Sequence, residues 1–120
     1  MTNAYLNFGE ISAFAASSAA TYAPNVIKLD TPKYFAGTPA KVVFTAKAAV
    51  TGFQAALYSG DTATPTTIVA QAPATVDMAV GDIVELAIPA TLGTYLRAGG
   101  GASATSGKMD ICIELGEPRA

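Results

Sequence analysis

The stretch "KMDICIEL", residues 108–115, decides the fold of this 120-residue chain. Its apolar side chains at Met109, Ile111 and Ile113 alternate with Asp110 and with other polar or small residues. Successive side chains of a β-strand point to opposite faces, so alternation with a period of two is typical of a half-buried strand. The stretch therefore predicts a strand with one face in a core and one face outside it.

The residues before this strand nearly spell a phosphate-binding loop. Ala102 is followed by four residues and then by Gly107 and Lys108, which is close to the pattern G-x-x-x-x-G-K-[ST]. Met109 stands where a hydroxyl would ligate magnesium, and an alternating strand follows where a helix should hold the phosphates. The sequence therefore predicts a glycine- and serine-rich hairpin loop and no nucleotide cofactor.

The rest of the chain repeats the alternating pattern between seven prolines and eleven glycines. The runs are "KVVFTAK" (41–47), "GFQAALYSG" (52–60), "TTIVAQA" (66–72) and "DIVELAIP" (82–89), with shorter candidates in "NVIKLD" (25–30) and "TYLRA" (94–98). Turns about every ten residues are typical of β-sandwiches and jelly rolls. We expect an all-β single domain, a jelly roll or β-sandwich, in which "APATVDMAVGD" (72–82) is a loop.

The first 24 residues read differently from the rest. Alanine is the best helix former, yet the bulky residues of "ISAFAASSAATYA" (11–23) form no sustained stripe. We therefore prefer an extended arm or irregular segment over residues 1–24, ending at Pro24, to a short helix, and a sandwich domain over residues 25–120. The aromatic side chains of this arm either pack on the domain's own sheet or dock on a neighbouring subunit. They are Tyr5, Phe8, Phe14 and Tyr22.

The charge pattern argues against nucleic acid as a direct partner. The net charge is −2 and the seven basic residues are scattered, whereas DNA or RNA binding needs a concentrated basic surface. No apolar run approaches the roughly 20 residues that span a bilayer. The opening "MTNAYLNFGE" also lacks the basic start and apolar run of a signal peptide. We expect a soluble protein made in a cytoplasm, with no membrane partner.

The sequence contains no recognisable catalytic set. Histidine is absent, so Cys112, the single cysteine, has no imidazole to activate it. Asp110 and Glu114 share a strand face and could form an acid–base pair or a calcium site. A solvated or interface-facing edge is the simpler interpretation. Asp61 and Asp82 each follow a glycine and fit turns. We expect no enzyme, no metal and no cofactor.

Alanine makes up much of the hydrophobic half of the chain. Because alanine buries little area, the expected core gives only a small surplus over chain entropy. This composition favours additional stabilisation by oligomerisation or by a partner surface, and it favours a binding or structural role.

Three stretches, in this order, resemble the small capsid cement, or decoration, proteins of tailed bacteriophages, of the jelly-roll kind that stands as trimers on the head. They are "AYLNFGEISAFAASSAATYAPNVIKLD" (4–30), "FQAALYSGDTATPTTIVAQ" (53–71) and "YLRAGGGASATSGKMDICIEL" (95–115). The matching residues are Asn25, Val26, Ile27, Leu29, Ser59, Asp61, Tyr95, Leu96, Arg97, Gly107 and Lys108. The chain is shorter than the family pattern around residues 76–82, and its turn at residues 35–39 is compact.

The resemblance implies a structural protein that ties major capsid subunits together on the outer surface of the virion. Its implied partners are the major capsid protein and its own copies in a homotrimer. The N-terminal aromatics, Gly100 in the glycine-rich loop and Lys108 are then candidate contacts with a neighbouring subunit or the shell. Two other classes stay open: a carbohydrate-binding β-sandwich on a phage or bacterial surface, and an enzyme subunit or nucleotide binder. The absence of tryptophan weighs against the carbohydrate module.

Overall fold

Strands dominate the computed structural model, which describes residues 7–14, 20–28, 40–89, 93–103 and 105–115. These ranges hold ten β-strands and no helix. The strands are β1 (Asn7–Ile11), β2 (Thr21–Tyr22), β3 (Ile27–Lys28), β4 (Ala40–Ala48), β5 (Val50–Gly60), β6 (Ile68–Gln71), β7 (Val76–Met78), β8 (Ile83–Ala87), β9 (Tyr95–Gly101) and β10 (Lys108–Leu115). The all-β class predicted from the alternation is confirmed.

The strands form two antiparallel sheets that pack as a sandwich. Sheet A has the order β1-β10-β4-β8 and sheet B the order β2-β9-β5-β6, while β3 also pairs with β9 and β7 with β5. If β2 and β3 are counted as one interrupted strand, and β6 and β7 as another, eight consecutive strands take the orders 1-8-3-6 and 2-7-4-5. This exchange of successive strands between two sheets is the connectivity of a jelly roll.

Aromatic side chains fill the space between the sheets. The inner faces of β4 and β10 carry Phe44 and Ile111, which are fully buried together with their alternate neighbours, and this confirms the face predicted for β10. From sheet B, the ring of Phe53 lies 5.8 Å from Phe44 and 5.7 Å from Phe14, measured between centroids. Ring pairs at such distances add about 1 kcal/mol each beyond the area they bury. A few large side chains thus supply the core that alanine cannot.

The segment predicted as an N-terminal arm belongs to the sandwich wherever it is described. Its strand β1 pairs with β10, and β2 pairs with β9. Phe8 is fully buried and Phe14 is 3% exposed. Both side chains already lie in the core of their own chain, so they are not available to dock on a neighbouring subunit. Tyr5 lies outside the described residues.

Two stretches predicted as loops contain strands. Residues 72–82 include β7, which pairs with β5. The glycine tract, Gly99 to Gly101, was expected to be a loop, but it forms the last residues of β9. A Cβ at Gly99 would meet the backbone oxygen of Thr21, and a Cβ at Gly100 would meet that of Gln54. Glycine is required there because the neighbouring backbones come too close for a side chain.

The connection from β9 to β10 is not a hairpin, because β9 lies in sheet B and β10 in sheet A. It crosses from one sheet to the other, and two backbone hydrogen bonds join it to neighbouring segments. Ser103 N–H donates to Thr51 O at 2.9 Å, and Phe14 N–H donates to Thr105 O at 3.1 Å. Strand β10 begins at Lys108, at the place where a phosphate-binding loop would lead into a helix, so the strand predicted from the alternation is confirmed.

We predict that Gly99→Ala lowers the free energy of unfolding by about 3 kcal/mol, because the added methyl group must push two strands apart. Gly81→Ala is the control: its Cβ meets open space but its φ is +91°, which costs about 1 kcal/mol. Urea denaturation of both variants measures the difference. Equal losses would contradict the close approach at Gly99.

Candidate interaction surfaces

Tyr22 lies on the outer face of sheet B, where it contacts two other side chains, Tyr58 and Arg97. Its ring centroid is 4.9 Å from that of Tyr58, at an interplanar angle of 68°. The guanidinium carbon of Arg97 lies 3.5 Å from the centroid of the Tyr22 ring, a cation–π contact. Arg97 also donates from Nη1 to Pro65 O at 3.3 Å. Tyr22 is therefore held on its own sheet, with part of its surface still exposed.

Burial beside these side chains shifts the pKa of Tyr58. Desolvation raises the pKa of its hydroxyl above the ordinary value, the neighbouring Tyr22 adds to the rise, and Arg97 opposes it. At neutral pH the phenol is protonated, as a tyrosine with the ordinary pKa also is, and it contributes packing as a neutral group.

Ser59 is the buried polar residue of the described core, at 4% exposure. Its hydroxyl donates to Tyr95 O and accepts from Gly93 N–H, both at 2.8 Å. Two residues further, Asp61 Oδ1 accepts from the amide and the hydroxyl of Thr94, each at 3.4 Å. Two side chains of one stretch thus fix the backbone where β9 begins.

The start of β9 joins the three stretches that carry the family resemblance. Leu96 pairs with Ile27 of β3 on one side and with Ser59 of β5 on the other. Residues from all three stretches therefore meet at one end of sheet B. Gly107 and Lys108 lie apart from this cluster, at the start of β10, and Leu29 lies outside the described residues.

The remaining predicted contacts have different surroundings. Gly100 is buried and pairs with Thr21 on one side and with Ala55 on the other, so it is not free to approach another subunit as predicted. Lys108 is exposed at the beginning of β10. Its position fits either a solvated strand end or a contact, and the contact stays a prediction.

The carboxylates of sheet A's outer face lie beside lysines of β4. Lys47 Nζ is 3.6 Å from Asp110 Oδ2, and Lys41 Nζ is 2.6 Å from Glu85 Oε2. The hydrogen bond to Glu85 raises the pKa of Lys41. All four side chains are about half exposed. In the described ranges no three ligand-type side chains gather as a metal site would require, and this face is a solvated, charge-paired surface.

Exposed apolar side chains lie on the border strands of both sheets. The large hydrophobic side chains that are exposed in the described residues lie on β6, β7 and β8 or in the turn before β8, and we call this set the apolar edge. They are Ile68, Val76, Val80 and Ile83, between 43% and 70% exposed. Strand β8 ends sheet A, β6 and β7 border sheet B, and β6 contacts β8 across the sandwich. Among the strands of the described ranges, the border strands of the two sheets therefore lie on the same side of the sandwich.

The sequence patterns did not predict the apolar edge, although a signal was present. Val80 and Ile83 flank the turn at Gly81 and Asp82, where apolar residues have no core to enter. Ile83 also begins the outward-facing set of β8, opposite to Val84. Exposure of such residues cannot be read from a strand pattern alone, because the pattern does not say which strand lies at an edge.

A cavity of about 270 Å³ lies on the outer face of sheet B. The described residues of its walls are uncharged; they include Gln54, Tyr58, Gln71 and Ile68 above a floor of small residues. The Gln54 amide donates from Nε2 to Ala72 O at 2.8 Å, which leaves its oxygen as an acceptor. These walls suit a neutral polar group.

Comparison with known proteins finds no matching family model and no matching curated protein. Within the described ranges there is also no helix with the length and hydropathy to cross a membrane.

We predict that Ser59→Ala destabilises the protein by about 2 kcal/mol, because Tyr95 O and Gly93 N–H lose a buried partner. The matched control is Ser103→Ala, which removes one exposed hydrogen bond to Thr51 O and should cost about 0.5 kcal/mol. Thermal or urea unfolding compares the two. A Ser59 variant as stable as the Ser103 variant would show that the buried hydroxyl does not fix the start of β9.

Proposed function

We propose that this chain is a structural virion protein, a capsid cement protein that binds the outside of a bacteriophage head and stabilises the shell. The partners are the major capsid protein and two further copies of the chain in a homotrimer. In this proposal the protein has no catalytic role and requires no cofactor.

The observation that carries the proposal is the meeting of the three resembling stretches around Ser59 and Leu96. Residues far apart in sequence, such as Ile27 and Asp61, lie at the same end of sheet B in a jelly roll. Matches of common residue types scattered over a fold would carry little weight. Matches that build one hydrogen-bonded junction support a shared architecture.

Stabilisation of the shell would follow from linkage. A protein that binds the assembled shell better than free subunits lowers the free energy of the assembled state in proportion to its occupancy. A trimer that engages several shell subunits at once needs only modest affinity at each contact. The apolar edge supplies exposed apolar side chains for such contacts, whereas Lys41 and Lys47 on sheet A's outer face are already paired with carboxylates.

The fold also decides how the proposal can be tested. Removing the N-terminal residues would delete β1 and the core residue Phe8. Loss of binding by such a variant would report unfolding, so the experiment needs the whole chain.

The second candidate is a carbohydrate-binding module. It is favoured by the uncharged cavity on sheet B, where the amides of Gln54 and Gln71 could bond to hydroxyl groups. Tyr58 lines this cavity but is only 4% exposed, so it offers little ring surface for the stacking that sugar sites use. Binding to a glycan array without binding to heads would favour this candidate over the first.

We predict that the purified chain sediments with heads of the phage that encodes it, when those heads are assembled without it, and raises their melting temperature. Light scattering of the free protein should give the mass of a trimer. Protein that stays at the top of the gradient at micromolar concentration would overturn the capsid proposal. A monomer in light scattering would overturn its trimeric form.

A further inference from the structure

The outer edge of β8 presents backbone groups without a neighbouring strand in the described chain. Ile88 N–H donates to Ala40 O, and Asp82 O accepts from Ala46 N–H, so the even-numbered residues of this segment direct their backbone groups at β4. Alternation along an antiparallel strand then directs those of Ile83, Glu85 and Ala87 away from the sheet. No strand of the described ranges pairs with β8 at these three positions.

Within the described residues, β8 lacks three features that often protect a sheet border, namely a bulge, a lysine and a proline. Bulges, shortness, lysine and proline all discourage pairing with a further strand. The pairings of β1, β6 and β7 contain register shifts, and β2 and β3 have two residues each. By contrast, β8 pairs with β4 over five residues without a shift. It also contains neither lysine nor proline.

The inner face behind β8 is incompletely covered. Val84, Leu86 and Ile88 point towards the core but remain partly exposed. A further strand beside β8 would place its own inward side chains over Val84 and Leu86, since cross-strand neighbours share a face. The outward side chain between them would lie opposite Glu85.

Charge defines what that opposing residue should be. Residues 76–87 contain Asp77, Asp82 and Glu85 and no lysine or arginine. The pair between Glu85 and Lys41 is about half exposed, and the carboxylate can accept a second cation. A basic side chain opposite Glu85 is therefore favourable, and an acidic one is not.

We infer that the edge of β8 binds an extended segment of another polypeptide by strand addition, with the order apolar, basic, apolar opposite Val84, Glu85 and Leu86. Backbone hydrogen bonds provide affinity and alternate side chains provide selectivity in such binding. The inference goes beyond the proposed function and does not depend on it. A second copy of β8 fits less well, because full antiparallel overlap sets Glu85 opposite Glu85.

The test uses the whole purified protein and two capped peptides. One has the order Thr, Val, Lys, Val, Thr, and the other has Glu in place of Lys; both read the same in either strand direction. Titration followed by amide NMR should shift the Ile83, Glu85 and Ala87 signals and slow their hydrogen exchange. The lysine peptide should bind about fivefold more tightly than the glutamate peptide.

Two variants separate edge pairing from general charge attraction. Glu85→Gln should remove most of the preference for the lysine peptide, because the opposing charge is gone. Glu114→Gln is the matched control, since Glu114 pairs with the same Lys41 from β10, inside the sheet, and it should keep the preference. Absence of β8 shifts at millimolar peptide, equal binding of both peptides, or a preference that survives Glu85→Gln would each overturn the inference. None of these results depends on binding to heads.

Discussion

The close approach of three backbones at the glycine tract of β9 is the constraint on which the rest of sheet B depends. Thr21 of β2 and Gln54 of β5 come so near Gly99 and Gly100 that no Cβ fits between them. Because glycine lets β9 run between these two backbones, β2 and β5 pair with it on opposite sides. The sheet is then continuous from β2 to β6, and a jelly roll can close over the aromatic core.

The position of β9 also explains how distant stretches come together. At its first residues, the Ser59 hydroxyl and the Asp61 carboxylate hold the backbone of residues 93–95. At its middle, Arg97 extends over Tyr22 and bonds to Pro65 O. One strand thus links the N-terminal, central and C-terminal stretches that resemble the cement proteins. The apolar edge lies at the other border of the sandwich, where β8 has a neighbouring strand on one side only among the described residues.

Much of this fold follows from local pattern, and the rest follows from contacts that the pattern does not record. The alternation in β10 predicted its buried face, because this strand lies inside a sheet whose other face is exposed to solvent. The prediction of a loop at Gly99 to Gly101 was wrong, because glycine occurs both in flexible loops and where two backbones approach closely. Phe8 and Phe14 were ambiguous because a strand at a sheet border and an arm on a neighbour have the same local sequence. Ser59 looked like an ordinary strand residue, and only its partners in β9 and at Gly93 distinguish it.

Amide hydrogen exchange of the native protein distinguishes an inner strand from a loop at Gly99 to Gly101. We expect the amides of Gly99 and Gly100 to exchange as slowly as that of Leu57 in β5, because each of these residues pairs with a strand on either side. Exchange as fast as in the exposed residues 62–64 would show that these glycines form a loop instead of an inner strand.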